Sequence, residues 1–217
     1  DRTLVRINGT QSGDHPLDLA VLAEVGLPRA MLAKSEDPVQ LAAIEHEVVL
    51  LVETPRGIER IAELAAQDNV IGAMWGADDL VAGLGGTTSR HPDGRYRDVA
   101  RFARSRALIA AKAAGRLAVD AVHMDIADTA GLAAECEDAV ASGFDATAAI
   151  HPSQVPIIRT AYAPSPGQVD WATRLLAHVG EDRGVTTFEG RMVDGPVYTQ
   201  AERVLRLAAT AIPAGDS

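Results

Sequence analysis

Val48-Val49-Leu50-Leu51-Val52, followed at once by Glu53-Thr54-Pro55, is the stretch on which the reading of the fold turns. Five consecutive apolar residues follow neither a helical period nor the alternation of a half-exposed strand. They suit a strand buried on both faces, as in a parallel sheet. Thr54-Pro55 then opens a helix that runs to about Ala66, with a hydroxyl side chain before a proline in the first turn. A buried strand passing directly into a capped helix is one β–α unit, and the flanking sequence repeats it. Downstream, Val70 to Trp75 reads as a strand, and a glycine-containing loop precedes a long helix from about Val99 to Ala114. Strand Leu117 to Ala121 precedes helix Thr129 to Ser142, and strand Ala146 to Ile150 precedes helix Ser153 to Tyr162. Upstream, strand Thr3 to Ile7 leads to helix Pro16 to Val25, and strand Ala30 to Ala33 to a helix from Ser35-Glu36-Asp37-Pro38 to about Ile44. Six β–α pairs in this order predict an α/β fold with a parallel sheet.

Ala163-Pro164-Ser165-Pro166-Gly167 interrupts the rhythm. It divides a main unit, residues 1–165, from a helical extension, residues 166–217, with helices expected at Val169 to Gly180 and Tyr198 to Ala211 around a polar stretch. The chain opens directly on a strand pattern, which suggests that earlier elements of the fold precede it.

The bulk properties narrow the function. Thirty acidic against 20 basic residues give a formal charge of -10 and no basic stripe, which argues against nucleic-acid binding. No apolar run approaches the roughly 20 residues of a membrane helix. The single cysteine, Cys136, allows no internal disulfide, reads as a small buried helical residue, and fits a reducing, cytoplasmic setting. Six histidines without paired spacing, and one cysteine, give zinc little support. Gly83-Leu84-Gly85-Gly86 is neither a dinucleotide fingerprint nor a Walker loop, and reads as a turn, a hinge or a close approach to a ligand.

Polar residues gather at the C-terminal ends of the expected strands: Arg6, Lys34, Glu53, Asp78 with Asp79, Asp120 and His151. In a parallel sheet these ends share one side, and in a barrel they converge on one mouth, where such folds build active sites. Glu53 and Asp79 are the strongest metal-ligand candidates, because Mg²⁺ takes one or two protein carboxylates and completes its shell with water and substrate oxygens. Each is equally readable as a helix cap or an ion-pair partner. His151 reads as a loop residue contacting backbone or substrate. Lys34, Asp120 and Asp125 receive no role beyond proximity to the mouth.

Several ordered segments resemble the citrate lyase beta-subunit family, within the wider group of HpcH/HpaI aldolases, malyl-CoA lyases and citramalyl-CoA lyases. They are Leu4-Val5-Arg6-Ile7-Asn8, Val52-Glu53-Thr54-Pro55-Arg56-Gly57, Trp75-Gly76-Ala77-Asp78-Asp79-Leu80, Ala149-Ile150-His151-Pro152-Ser153-Gln154 and Phe188-Glu189-Gly190-Arg191-Met192-Val193-Asp194. The resemblance spans nearly the whole chain. It implies a TIM-type (β/α)₈ barrel, usually trimeric, that binds Mg²⁺ and a CoA thioester. It further implies that Glu53 and Asp79 hold the metal, that Arg6 contacts the thioester or acid oxygen, and that Asp194 enters a neighbouring subunit's site. The segment Gly76-Ala77-Asp78-Asp79 would line the substrate, and Asp78 stands where the family often has glutamate. The family's opening strand with a Pro-Ala-Asp-Arg-like segment, and its second strand with Leu-Glu-Asp-Gly, are not among the 217 residues, so the barrel is expected to lack its first two β–α units.

The function expected on this resemblance is cleavage of a 3-hydroxyacyl-CoA into a keto acid and acetyl-CoA, or the reverse condensation. Arg6 would hold the developing enolate oxygen, and Asp194 would exchange the proton at carbon. An accessory subunit that binds a CoA or acyl-carrier compound without turnover is the alternative from another class. A keto-acid aldolase that needs no CoA is the enzymatic rival.

Overall fold

The computed structural model describes residues 3–180 and 183–210. The chain divides into two compact units, Asp1–Gln154 and Val155–Ser217. In the first, strands β1 (Val5–Ile7), β2 (Arg29–Leu32), β3 (Glu47–Val52), β4 (Val70–Trp75), β5 (Leu117–Asp120) and β6 (Ala146–Thr147) form one sheet in sequential order, and every neighbouring pair is parallel. The intervening helices are α1 (His15–Val25), α2 (Pro38–Ala42), α3 (Pro55–Ala65), α4 (Ala77–Gly83), α5 (Asp98–Ala113) and α6 (Thr129–Ser142), while α7 (Gln154–Tyr162) starts at the unit's last residue. A strand order that never reverses is the winding of a barrel rather than of a doubly wound sheet. The unit is therefore an α/β fold with a six-stranded parallel sheet, consistent with a partial TIM-type barrel.

Local chemistry sets the element ends. Thr54 Oγ1 accepts the Gly57 N–H at 3.0 Å while Pro55 occupies the first turn of α3. Asp37 likewise accepts the Val39 and Gln40 amides at the start of α2. Two expectations need correction. The segment after β4, read as a glycine loop, begins with helix α4; Gly86 beyond it packs so closely that a Cβ would lie 2.7 Å from Val81 Cγ1, so this glycine serves chain packing. Strand β6 is only two residues long, because it is an edge strand paired on one side alone.

Register explains which side chains face the helices. Ile7, Leu32, Leu50, Ala73 and Ala118 pair in one row across five strands, and none is more than 3% exposed. Alternation puts the adjacent row, Arg6, Met31, Val49, Gly72 and Leu117, on the other face. There Leu117 is 55% exposed, so only the first face is fully covered. Helices α3 and α5 pack on β3, β4 and β5.

The second unit holds α8 (Pro166–Val179), a hairpin of β7 (Thr186–Phe188) and β8 (Arg191–Val193), and α9 (Gly195–Thr210). Its core is Ala172, Leu175, Val193, Tyr198 and Ala201. The proline-rich break turns out to be the start of a helix. Ser165 accepts the Gln168 N–H while Gln168 returns a bond to the Ser165 N–H, a reciprocal cap that starts α8 three residues before the expected Val169. The polar stretch contains the hairpin, whose turn residues Glu189 and Gly190 both have positive φ, 49° and 76°. That is the two-residue turn that suits strand twist. The expected last residue of the final helix, Ala211, lies outside the described residues.

Candidate active site

Glu53 continues the alternation of Val49 and Leu51 and leaves β3 on the face that carries Arg6. Although a carboxylate, it is 93% buried, and its Oε1 accepts the backbone N–H of Lys34 at 3.1 Å. Gly76, at the end of β4, makes room for it. A Cβ there would sit 2.8 Å from Glu53 Cβ and 2.9 Å from its Oε2. Lys34 follows β2 in a left-handed conformation, φ 50°, uncommon for a residue other than glycine. Its backbone serves Glu53, and its ammonium lies 3.6 Å from Asp79 Oδ1. Asp79 sits in the first turn of α4. Four consecutive β–α units thus bring Arg6, Lys34, Glu53 and Asp79 to one neighbourhood.

The electrostatics are uneven. Burial pushes the Glu53 carboxyl above its ordinary value; the Lys34 N–H pulls it back, the charge of Asp79 pushes it up, and the charges of Lys34 and Arg6 lower it. A buried carboxyl whose proton affinity is raised, in part by a second carboxylate nearby, marks a site short of positive charge. No three His, Cys, Asp or Glu side chains cluster as a metal cage among the described residues. Mg²⁺ itself uses few protein ligands and keeps coordination places for water and substrate oxygens. The hard-oxygen donor pair of Glu53 and Asp79 fits such an ion.

Other strand-end residues go elsewhere. Asp78 accepts the Ser89 hydroxyl at 2.6 Å and is tied to the following loop, while Gly76 and Ala77 form the turn into α4. Asp120 corrects the expectation of a common mouth. It belongs to the row of Ala118 and Trp75, on the face opposite Glu53. There it accepts Trp75 Nε1 at 2.6 Å and pairs with Arg104 of α5 at 2.6 Å, and Arg104 also holds Asp138 of α6. Its carboxylate is spent on binding the sheet to its helices. Asp125 accepts the amides of Ala127 and Asp128 and shapes a turn. His151 is exposed and bonded to Ser153 Oγ at 2.8 Å. Cys136 is buried, and burial pushes its thiol up. Asp194 lies in the second unit just before α9, where its carbonyl accepts the Tyr198 N–H. His123, held at 2.9 Å by Glu135, which also pairs with Arg90, was not singled out from sequence, since nothing in its local pattern marks it.

A singly wound parallel sheet with two carboxylates and an arginine at its strand ends is the layout of an α/β enzyme whose site lies on that side of the sheet. Residues 2–152 match the HpcH/HpaI aldolase/citrate lyase family, and the chain belongs to it as one of its lyases. It is 51% identical over 212 residues to a citrate lyase subunit beta-like protein of Mycobacterium tuberculosis, covering 97% of this chain and 78% of the relative. It is 29% identical over 236 residues to human mitochondrial citramalyl-CoA lyase, covering 95% of this chain and 68% of the relative. The crystal structure of M. tuberculosis CitE in complex with magnesium, acetoacetate and coenzyme A superposes with a TM-score of 0.90 at 52% identity, covering 96% of this chain and 78% of that one. Among the described residues no helix is long and apolar enough to cross a membrane.

Proposed function

We propose that this protein is a Mg²⁺-dependent lyase that cleaves a 3-hydroxyacyl-CoA of the citramalyl-CoA, malyl-CoA or 3-hydroxy-3-methylglutaryl-CoA type to a keto acid and acetyl-CoA, or runs the reverse condensation. The observation that carries the proposal is the grouping of Glu53, Asp79 and Lys34 on the strand ends, with Arg6 on the same face and its charge felt at Glu53. The magnesium and coenzyme A bound by the M. tuberculosis homologue support it.

In this reading Glu53 and Asp79 hold the ion, which when bound supplies Lewis-acid polarisation of the substrate's hydroxyl or keto oxygen. As the carbon–carbon bond breaks, the hydroxyl gives up its proton to solvent and becomes the keto-acid carbonyl, and the bonding pair leaves negative charge on the thioester oxygen. Arg6, permanently charged and fork-shaped, stabilises it. Asp194 returns a proton to the thioester's α-carbon, and removes it in the condensation. Gly76, Ala77 and Asp78 shape the substrate's side of the mouth. The six β–α units are read as six of the eight in a TIM-type barrel. The C-terminal extension from residue 166 would carry Asp194 into a neighbouring copy's site in a homotrimer.

The test is a lyase assay on the three thioesters with and without Mg²⁺. Metal-dependent release of acetyl-CoA from at least one supports the reading. Binding of CoA compounds without turnover supports an accessory subunit, and turnover of free keto acids alone supports a CoA-independent aldolase.

A further inference from the structure

We propose that Lys34 is a displaceable internal counter-cation: its ammonium holds Asp79 until a divalent cation takes the two carboxylates, and it thereby sets the affinity for that cation. The inference rests on the metal reading above and extends it to a residue that reading leaves without a role. The chain carries eighteen arginines and only two lysines, Lys34 and Lys112, so a lysine here is an exception to its usage. An arginine fork would lock bidentately onto a carboxylate, whereas a lysine is a compact point charge on a flexible stem. The two ends of Lys34 act on different partners. Its backbone N–H, aimed by the left-handed φ of 50°, orients Glu53, while Nζ reaches 3.6 Å from Asp79 Oδ1. Both side chains of that ion pair are well exposed, 60% and 57%, and exposed pairs of this kind are weak. The backbone contact can therefore persist while the ammonium swings away. In the metal-free protein the ammonium supplies the positive charge that the carboxylates lack; when a cation arrives, the same ammonium competes with it for Asp79.

The test uses the full chain with Mg²⁺ as the probe. Reductive ¹³C-methylation, which keeps the charge, labels only two lysine side chains, with Lys112 as an internal reference because it pairs with Asp145 elsewhere. On Mg²⁺ titration the Lys34 methyl resonance is expected to shift and that of Lys112 to stay. By calorimetry at low salt, Lys34→Met is expected to bind Mg²⁺ about twofold to fivefold more tightly than wild type. Lys34→Arg, which keeps the charge but can lock bidentately onto Asp79, is expected to bind Mg²⁺ about twofold to fivefold more weakly than wild type. Mg²⁺ binding that leaves the Lys34 resonance unmoved, or that is unchanged or weaker in Lys34→Met, overturns the role of Lys34 alone. No Mg²⁺ binding by wild type overturns the metal assignment with it.

Discussion

At the scale of single residues, the account separates groups that act from groups that hold. Arg6 is exposed, and among the described residues it meets the buried Glu53 only through its charge, the smallest of the influences on that carboxyl. Arg6→Ala is therefore expected to lower turnover about 10²–10³-fold, the usual cost of one oxyanion donor, while the melting temperature stays near wild type. Glu53 behaves oppositely in the metal-free protein. Its folded-state proton affinity is raised, chiefly by burial, so the folded state holds the proton more tightly than the unfolded chain. Stability is then full at low pH and declines as the pH climbs out of the usual glutamate range and through the raised value. Glu53→Gln, which can still accept the Lys34 N–H, is expected to remove that decline and raise the metal-free melting temperature at neutral pH. It should also abolish any rise in melting temperature on adding Mg²⁺. Thermal scans from pH 4 to pH 8, with and without Mg²⁺, read both effects. Gly76→Ala forces a Cβ against Glu53, an overpacking expected to cost about 1–3 kcal/mol and to weaken Mg²⁺ binding.

At the scale of elements, strand parity decides which polar residues reach the site. Asp120 anchors β5 to α5 and α6 through Arg104. Asp120→Ala leaves a largely buried guanidinium with only the exposed Asp138 as partner and takes the acceptor from Trp75 Nε1, and is expected to cost about 3–5 kcal/mol in urea unfolding, far more than Arg6→Ala. The apolar run Val48 to Val52 was legible because both of its faces are buried, and Thr54-Pro55 because it caps a helix in the ordinary way. The facing of Asp120 was not legible. Leu117-Ala118-Val119 is apolar on both faces, so the sequence carries no alternation from which to count parity. Helix α4 was hidden because glycines precede it at Gly76, close it at Gly83 and follow it at Gly85, and glycine argues for loop. The β7–β8 hairpin was hidden because Glu189, a residue not typical of left-handed turns, shares its turn with Gly190. The part played by Lys34 depends on one positive φ and on a loop meeting the first turn of α4, and neither leaves a mark in composition or period.

At the scale of the whole molecule, the proposed catalytic groups are divided between the two compact units: Arg6, Glu53 and Asp79 in the first, Asp194 in the second. If Asp194 serves a neighbouring copy, Arg6→Ala and Asp194→Asn are each inactive alone but complement when mixed and reassembled. Roughly a quarter of the sites then carry both intact groups, and lyase activity should recover to about that share. Mixtures as inactive as their parents would place both groups in one copy's site or remove Asp194 from the chemistry. The central claim is narrower: the two acidic side chains from β3 and α4 share one hard divalent ion beside Arg6. Diffraction from crystals grown with Mn²⁺ as an anomalous stand-in for Mg²⁺ tests it most directly. The account predicts one strong anomalous peak about 2.1–2.3 Å from a carboxylate oxygen of both Glu53 and Asp79, with the Lys34 ammonium withdrawn from Asp79. A peak bound to neither residue, or crystals in which Glu53 and Asp79 stay as they are with no ion between them at millimolar Mn²⁺, would contradict it.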